Sequence, residues 1–192
     1  DDLEVQEKHK PVYDWCYAYN FDDPDRPKGL RLTAGAGRPL RSRMTYILAL
    51  LREQIPQAFK DEEYEAQRRG MEEQCRQNTQ QMMSELERLV REVNFGLQIG
   101  QGGMTLFPTV EDRPMAGEEY QALPEEQRKS IDEARNRLMQ QAEDTMAKIR
   151  DTERETSELV RGLERSTAEN RITGIFRPTR GTYQDDPDIA HF

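Results

Sequence analysis

A mainly α fold is what the sequence predicts: a long antiparallel, coiled-coil-like helical hairpin with a small β-hairpin at its tip, attached to a fragment of an α/β module. Three observations carry it. Two charged stretches repeat apolar residues at spacings of three and four, a Gly-rich segment with alternating apolar residues lies between them, and an aromatic run near the start stands apart from the charged remainder. With 34% hydrophobic residues, 34% charged residues and a mean hydropathy of −1.00, the 192-residue chain is too polar for one compact globule and suits solvated helices.

Residues 1 to 10 read as the end of a helix closed by Pro11. Residues 13 to 20 read as a strand, and 29 to 33 as a second extended piece after the turn made by Pro24 and Pro27. Because the remainder is mostly charged and helical, the other members of this strand's sheet are expected outside the sequence, which reads as a piece cut from a longer chain. Leu40, Met44, Ile47, Leu48, Leu51 and Ile55 then place one apolar face on a helix over 39–59, which Pro56 should bend or end.

The first long helix is expected over 61–93, with Met71, Cys75, Met82, Leu86, Leu89 and Val93 on its seam. The second starts at Pro124, a residue suited to a first helical position, with Glu125 and Glu126 near the positive end of the dipole. Its seam alternates four and three from Ile131 through Leu138, Ala142 and Ile149 to Leu159 and Leu163, a heptad pattern that is only half apolar. One connection of about thirty residues makes the two helices antiparallel neighbours. In that connection Phe95, Leu97 and Ile99 alternate with Gly96 and Gln98, Gly100-Gln101-Gly102-Gly103 makes a turn, and Met104 and Leu106 alternate again. Beyond Gly162, Ile172, Ile175 and Phe176 suggest a short helix ending at Pro178, and Asp185-Asp186-Pro187-Asp188 a cap for another. The resulting divisions are 1–60 for the α/β fragment, 61–165 for the hairpin with its β tip at 94–116, and 166–192 for short helical segments returning to the module.

The net charge of −9 argues against general affinity for nucleic acid or anionic membrane, and Arg38, Arg41, Arg43 and Arg52 read as a solvated helix face. No apolar run reaches the length of a membrane span, and a cytoplasmic location is expected. Cys16 and Cys75 read as small reduced hydrophobes, and His9 and His191 have no metal-ligand spacing around them. Asp22, Asp23 and Asp25 read as a solvated turn rather than a cation site. Gly35-Ala36-Gly37-Arg38 invites a phosphate-loop reading, but the Lys-Ser/Thr that would reach the phosphates is missing. Ser42, Ser84, Ser130, Ser157 and Ser166 lie in polar helical surroundings without a nucleophile elbow, and only Lys129 and Lys148 could partner one in the helical half. No catalytic, cofactor or metal residue is assigned.

The run Trp15 to Pro27, followed by Gly29-Leu30-Arg31-Leu32 and Gly35-Ala36-Gly37-Arg38, resembles the Lon-related, LonB/LonC-like proteases, in the region where a large helical insert interrupts an AAA+-like ATPase module. The resemblance continues through the long helices and the Gly-rich segment to about residue 165. It implies a homo-hexameric parent whose ATPase-type ring feeds unfolded or damaged polypeptide to a Ser-Lys proteolytic chamber in a separate domain. This stretch would then be a non-catalytic arm that captures or gates substrate, without a cofactor of its own, while the parent could use ATP. Phe95, Leu97, Ile99, Met104, Leu106 and Phe107 give the tip one apolar face, which either packs on the helix ends and on Tyr120 and Leu123 or stays partly exposed as the polypeptide contact, since flexible Met and aromatic groups tolerate many sequences. The alternative is a structural coiled-coil module that mediates oligomerisation. The isolated chain is expected to turn over neither casein nor ATP; hydrolysis of either that survives purification to homogeneity would refute the assignment.

Overall fold

The computed structural model describes residues 12–100, 103–183 and Ile189; the readings made of residues 1–10, His9, His191, the Gln101-Gly102 turn and the Asp185–Asp188 cap lie outside them. The fold is mainly helical with two small antiparallel sheets. In chain order it comprises β1 (Tyr13–Ala18), β2 (Lys28–Thr33), α1 (Gly37–Ala58), α2 (Glu62–Glu92), β3 (Phe95–Gly100), β4 (Gly103–Val110), β5 (Arg113–Pro114), α3 (Gly117–Gln121) and α4 (Glu125–Thr182). The chain divides into two compact units, one holding the described residues up to Tyr64 and those from Glu164 on, the other Glu65–Leu163.

In the first unit β1 and β2 pair antiparallel over six residues, from Tyr13 opposite Thr33 to Ala18 opposite Lys28. This corrects the expectation that every partner of the aromatic strand lies outside the chain. The connection that allows it is fixed locally: Asn20 Nδ2 donates to the Arg26 carbonyl at 3.0 Å, and Asn20 Oδ1 accepts from the Asp22 N–H at 3.2 Å. Strand alternation sends Cys16 and Ala18 inward, where they pack with buried Leu30 and Leu32 of β2 and Leu40 of α1. Tyr13, Trp15 and Tyr17 point the other way and are exposed.

Helix α1 runs through Pro56 and ends at Ala58, two residues later. Pro178 behaves differently from expectation. No short helix ends there; α4 runs as one 58-residue helix with Pro178 inside it. The proline sits in the last turns, where the Thr182 hydroxyl and the Tyr183 N–H satisfy the carbonyls of Pro178 and Thr179 at 3.1 and 3.2 Å. Nearby, Arg171 pairs with Asp61 at 2.7 Å, joining α4 to the start of α2 within this unit.

The second unit has its core at the meeting of helices and sheet. Leu86 and Val90 of α2, Leu138 and Ala142 of α4, Phe95 of β3 and Leu106 of β4 form one buried cluster. Each large apolar side chain so buried contributes about 1.5–3 kcal/mol. The seam of α2 differs from its sequence reading near the sheet: Leu89 and Val93 are exposed while Val90 is 1% exposed. Val90 stands one helical turn from Leu86, and both lie where Phe95 closes the core. On α4 the seam is buried at Leu138, Ala142 and Ile149, but Leu159 is 60% exposed. The seam threonines Thr145, Thr152 and Thr156 donate to carbonyls four residues back at 2.8, 2.9 and 2.9 Å, so their hydroxyls need no partner across the seam. Elsewhere the long helices carry exposed ion pairs at three and four residues, which solvent screens.

The exit from the sheet is stapled by charge. Glu111 and Asp112, both with positive φ, form the two-residue turn between β4 and β5. Arg113 then grips Glu119 through both guanidinium nitrogens at 2.7 and 2.5 Å, while Glu119 also accepts the Ala116 N–H at 2.8 Å. The Arg113 hydrogen bonds, followed by that backbone bond, lower the Glu119 pKa to about 2 from its ordinary 4.5. A carboxylate whose folded pKa is depressed adds stability above its unfolded pKa and loses it as the pH falls toward the folded value. The contribution of Glu119 is therefore present above about pH 4.5 and lost between there and about pH 2. A carbon-detected titration of the Glu119 carboxyl should show a midpoint near 2; a midpoint near the ordinary 4.5 would show that the grip does not persist in solution.

Candidate functional sites

The register of the tip sheet decides which of the six expected contact residues can meet a ligand. Phe95 faces Pro108, Leu97 faces Leu106 and Ile99 faces Met104, so these side chains share one face. Phe95 and Leu106 are 3% and 2% exposed and belong to the core, while Leu97 and Met104 are half-buried against it. Ile99, near the turn, is 50% exposed. Phe107 faces Gly96 and so lies on the opposite side from the other five. Its ring covers the glycine so closely that a Cβ at position 96 would fall 2.3 Å from it, which is why this strand position carries no side chain. The reachable tip surface is thus Ile99, with the half-buried Leu97 and Met104 behind it. Farther along, the Tyr120 hydroxyl donates to Asp132 at 2.9 Å, a bond that raises the Tyr120 pKa and ties α3 to the start of α4.

The Gly35-Ala36-Gly37 loop carries its own anion. Asp14 Oδ2 accepts the Gly37 N–H at 2.8 Å, filling the position at the start of α1 where a phosphate loop would hold its ligand. A Cβ on Gly37 would stand 3.1 Å from that carboxylate oxygen, so glycine admits the contact. In the aspartate turn, Asp22 pairs with Lys28 and Asp23 with Arg26, both at 3.7 Å. Among the described residues no group of three or more His, Cys, Asp and Glu could hold a metal ion, and no helix is long and apolar enough to cross a membrane.

Sequence reasoning did not single out one concavity of the first unit. A groove of 1270 Å³ runs between β1, α1 and the last turns of α4. Every residue of β1 lines it, as does Tyr19 beyond, whereas β2 contributes only Leu30. The groove therefore follows the edge of β1 that β2 leaves unpaired among the described residues. Its wall is apolar, with Met44 and Leu48 from α1 and Ile172 and Phe176 from α4, and Arg38, Arg41 and Arg180 stand at its rim. The signal was present in the alternation of Tyr13, Trp15, Tyr17 and Tyr19, which marks one outward face; only the packing of α4 showed that a groove borders it.

Residues 14–45, which comprise most of β1, all of β2 and the first turns of α1, match the family model described as the Lon-like LonC helical domain. No curated protein matches the chain. The family match supports a relationship to the Lon-like proteases, carried by the sheet and helix start of the first unit.

Proposed function

We propose that this chain is a non-catalytic arm of a Lon-like Ser-Lys protease, mounted on an AAA+-like module of a hexameric parent, and that it captures or gates unfolded polypeptide. The observation that carries the reading is the LonC-type match over residues 14–45, which falls on the strand pair and helix that anchor the long helices in sequence. The second unit supports it: α2 and the first part of α4 hold a small sheet through one shared core, an arrangement suited to an antiparallel hairpin with a tip. Of the tip residues Ile99 makes the contact, backed by Leu97 and Met104, while Phe95 and Leu106 hold the tip together. Exposed apolar groups on a polar arm suit transient capture of sequences that have lost their fold.

A scaffolding role through self-association has one observation in its favour, the 60% exposure of Leu159 on the heptad seam. Its neighbours Thr152 and Thr156 satisfy their own hydroxyls and offer little apolar area, so a seam dimer would be weak.

In the full-length parent, Ile99→Ser should weaken capture of a denatured, fluorescently labelled substrate several-fold without altering helical content. Gly96→Val, by driving a side chain into Phe107, should destabilise the tip by about 1–3 kcal/mol and weaken capture through loss of structure. Unchanged capture by a folded Ile99→Ser protein would remove the tip from the reading.

A further inference from the structure

We propose that a pocket at the base of the tip sheet binds an aliphatic primary ammonium group, such as the end of a lysine side chain, with Glu111, Asn94 and Thr109 as its polar partners. The pocket lies wholly within the second unit and does not depend on the protease reading.

The residues that follow α2, the end of β4 with its turn, and Ile131 of α4 build this pocket. It sits at the end of the β3–β4 ladder where Phe95 faces Pro108, away from the end where Gly100 faces Gly103. At 400 Å³ it falls within the range of about 300–1,000 Å³ usual for small ligands. Val93, Val110, Met115 and Ile131 give it apolar walls, and three polar side chains, Asn94, Thr109 and Glu111, complete the lining. The Thr109 N–H donates to the Asn94 carbonyl at 2.8 Å, which fixes the two backbones against each other. The side chains of all three residues, by contrast, make no hydrogen bond or ion pair with a described residue.

The charge that lines the pocket is the Glu111 carboxylate. The cations nearest to it in the chain are engaged or stand outside. Arg113 is held by Glu119 and Arg91 by Glu87. Arg128 and Arg135 flank Ile131 along α4 but do not line the pocket; both lie near enough to Tyr120 to favour its ionised form. An ionised carboxylate only accepts hydrogen bonds, and the amide and hydroxyl oxygens accept as well, so the set calls for a positively charged donor. An ammonium group brings three N–H donors, one for each lining group, and its methylene stem suits the apolar walls. An anionic ligand would meet Glu111 and, next to it, Asp112.

Glutamate is also an unexpected choice at this position. With φ of 49° and 62°, Glu111 and Asp112 form a two-residue turn whose geometry favours Asn and Gly. A residue kept against its local preference points to a use for its side chain, and the pocket supplies one.

The probe is N-acetyl-lysine-N-methylamide, titrated into the whole isotope-labelled chain and followed by NMR. The Asn94 side-chain amide and the methyl groups of Met115 and Ile131 should shift and saturate. The norleucine counterpart keeps the stem without the charge and should not saturate. Glu111→Asn places a turn-favoured residue at 111, so Tm should be unchanged or raised while binding weakens about fivefold or more at low salt. Absence of a saturable shift overturns the proposal, as does equal binding of the norleucine compound or undiminished binding by Glu111→Asn. Tighter binding of the arginine counterpart would also overturn it, by assigning the pocket to guanidinium groups. The source of the ammonium is separated by n-pentylamine: binding weaker than that of the capped lysine assigns the pocket to polypeptide side chains, and equal binding assigns it to free amines.

Discussion

The second unit depends on one buried cluster, in which Leu86 and Val90 from α2 and Leu138 and Ala142 from α4 close around Phe95 and Leu106. The helices outside it are charged, and solvent screens their exposed ion pairs, so helix pairing cannot rest on them. A two- or three-stranded sheet is equally unable to stand in water by itself. Each part supplies the apolar face that the other lacks. The consequence for function is a division of labour within a few residues: Phe95 and Leu106 are committed to stability, and Ile99, near the turn, is left to meet solvent.

A comparable economy operates in the first unit. The sheet has one face toward α1, and Asp14 on that face reaches the first amide of the helix, so the strand and the helix start are joined by a charge-assisted bond. The same bond engages the Gly37 N–H, the first amide of the helix after the Gly-rich loop. The helix N-terminus thus has a structural use, while the opposite face of β1, with Trp15 and Tyr17, is left uncovered by the described residues.

Helices and the first tip strands were legible because period and punctuation agreed: spacing of three and four between charges, Pro124 at a helix start, glycines at a turn. Other features were not. The Glu111–Asp112 turn carries none of the Asn-Gly signal that announces a tight hairpin, so β5 was hidden inside the connection. Phe107 was grouped with the tip's apolar face because composition shows that a residue is aromatic but not which strand residue it opposes; pairing with Gly96 sends it to the other side. Pro178 misled in the opposite sense: α4 continues through it to Thr182, although the missing proline N–H withdraws the usual donor from the Gly174 carbonyl.

The sequence by itself determined the class of fold, the approximate extents of the helices and the presence of a β tip, because these follow from local periodicity and from residues that restrict φ and ψ. Tertiary structure alone decided which apolar residues are core and which are surface, that β1 finds its partner in β2, and that, among the described residues, a groove runs between β1, α1 and the last turns of α4. Those outcomes bring residues as far apart in sequence as Trp15 and Phe176 to the lining of one groove, and no local pattern encodes the distance between them.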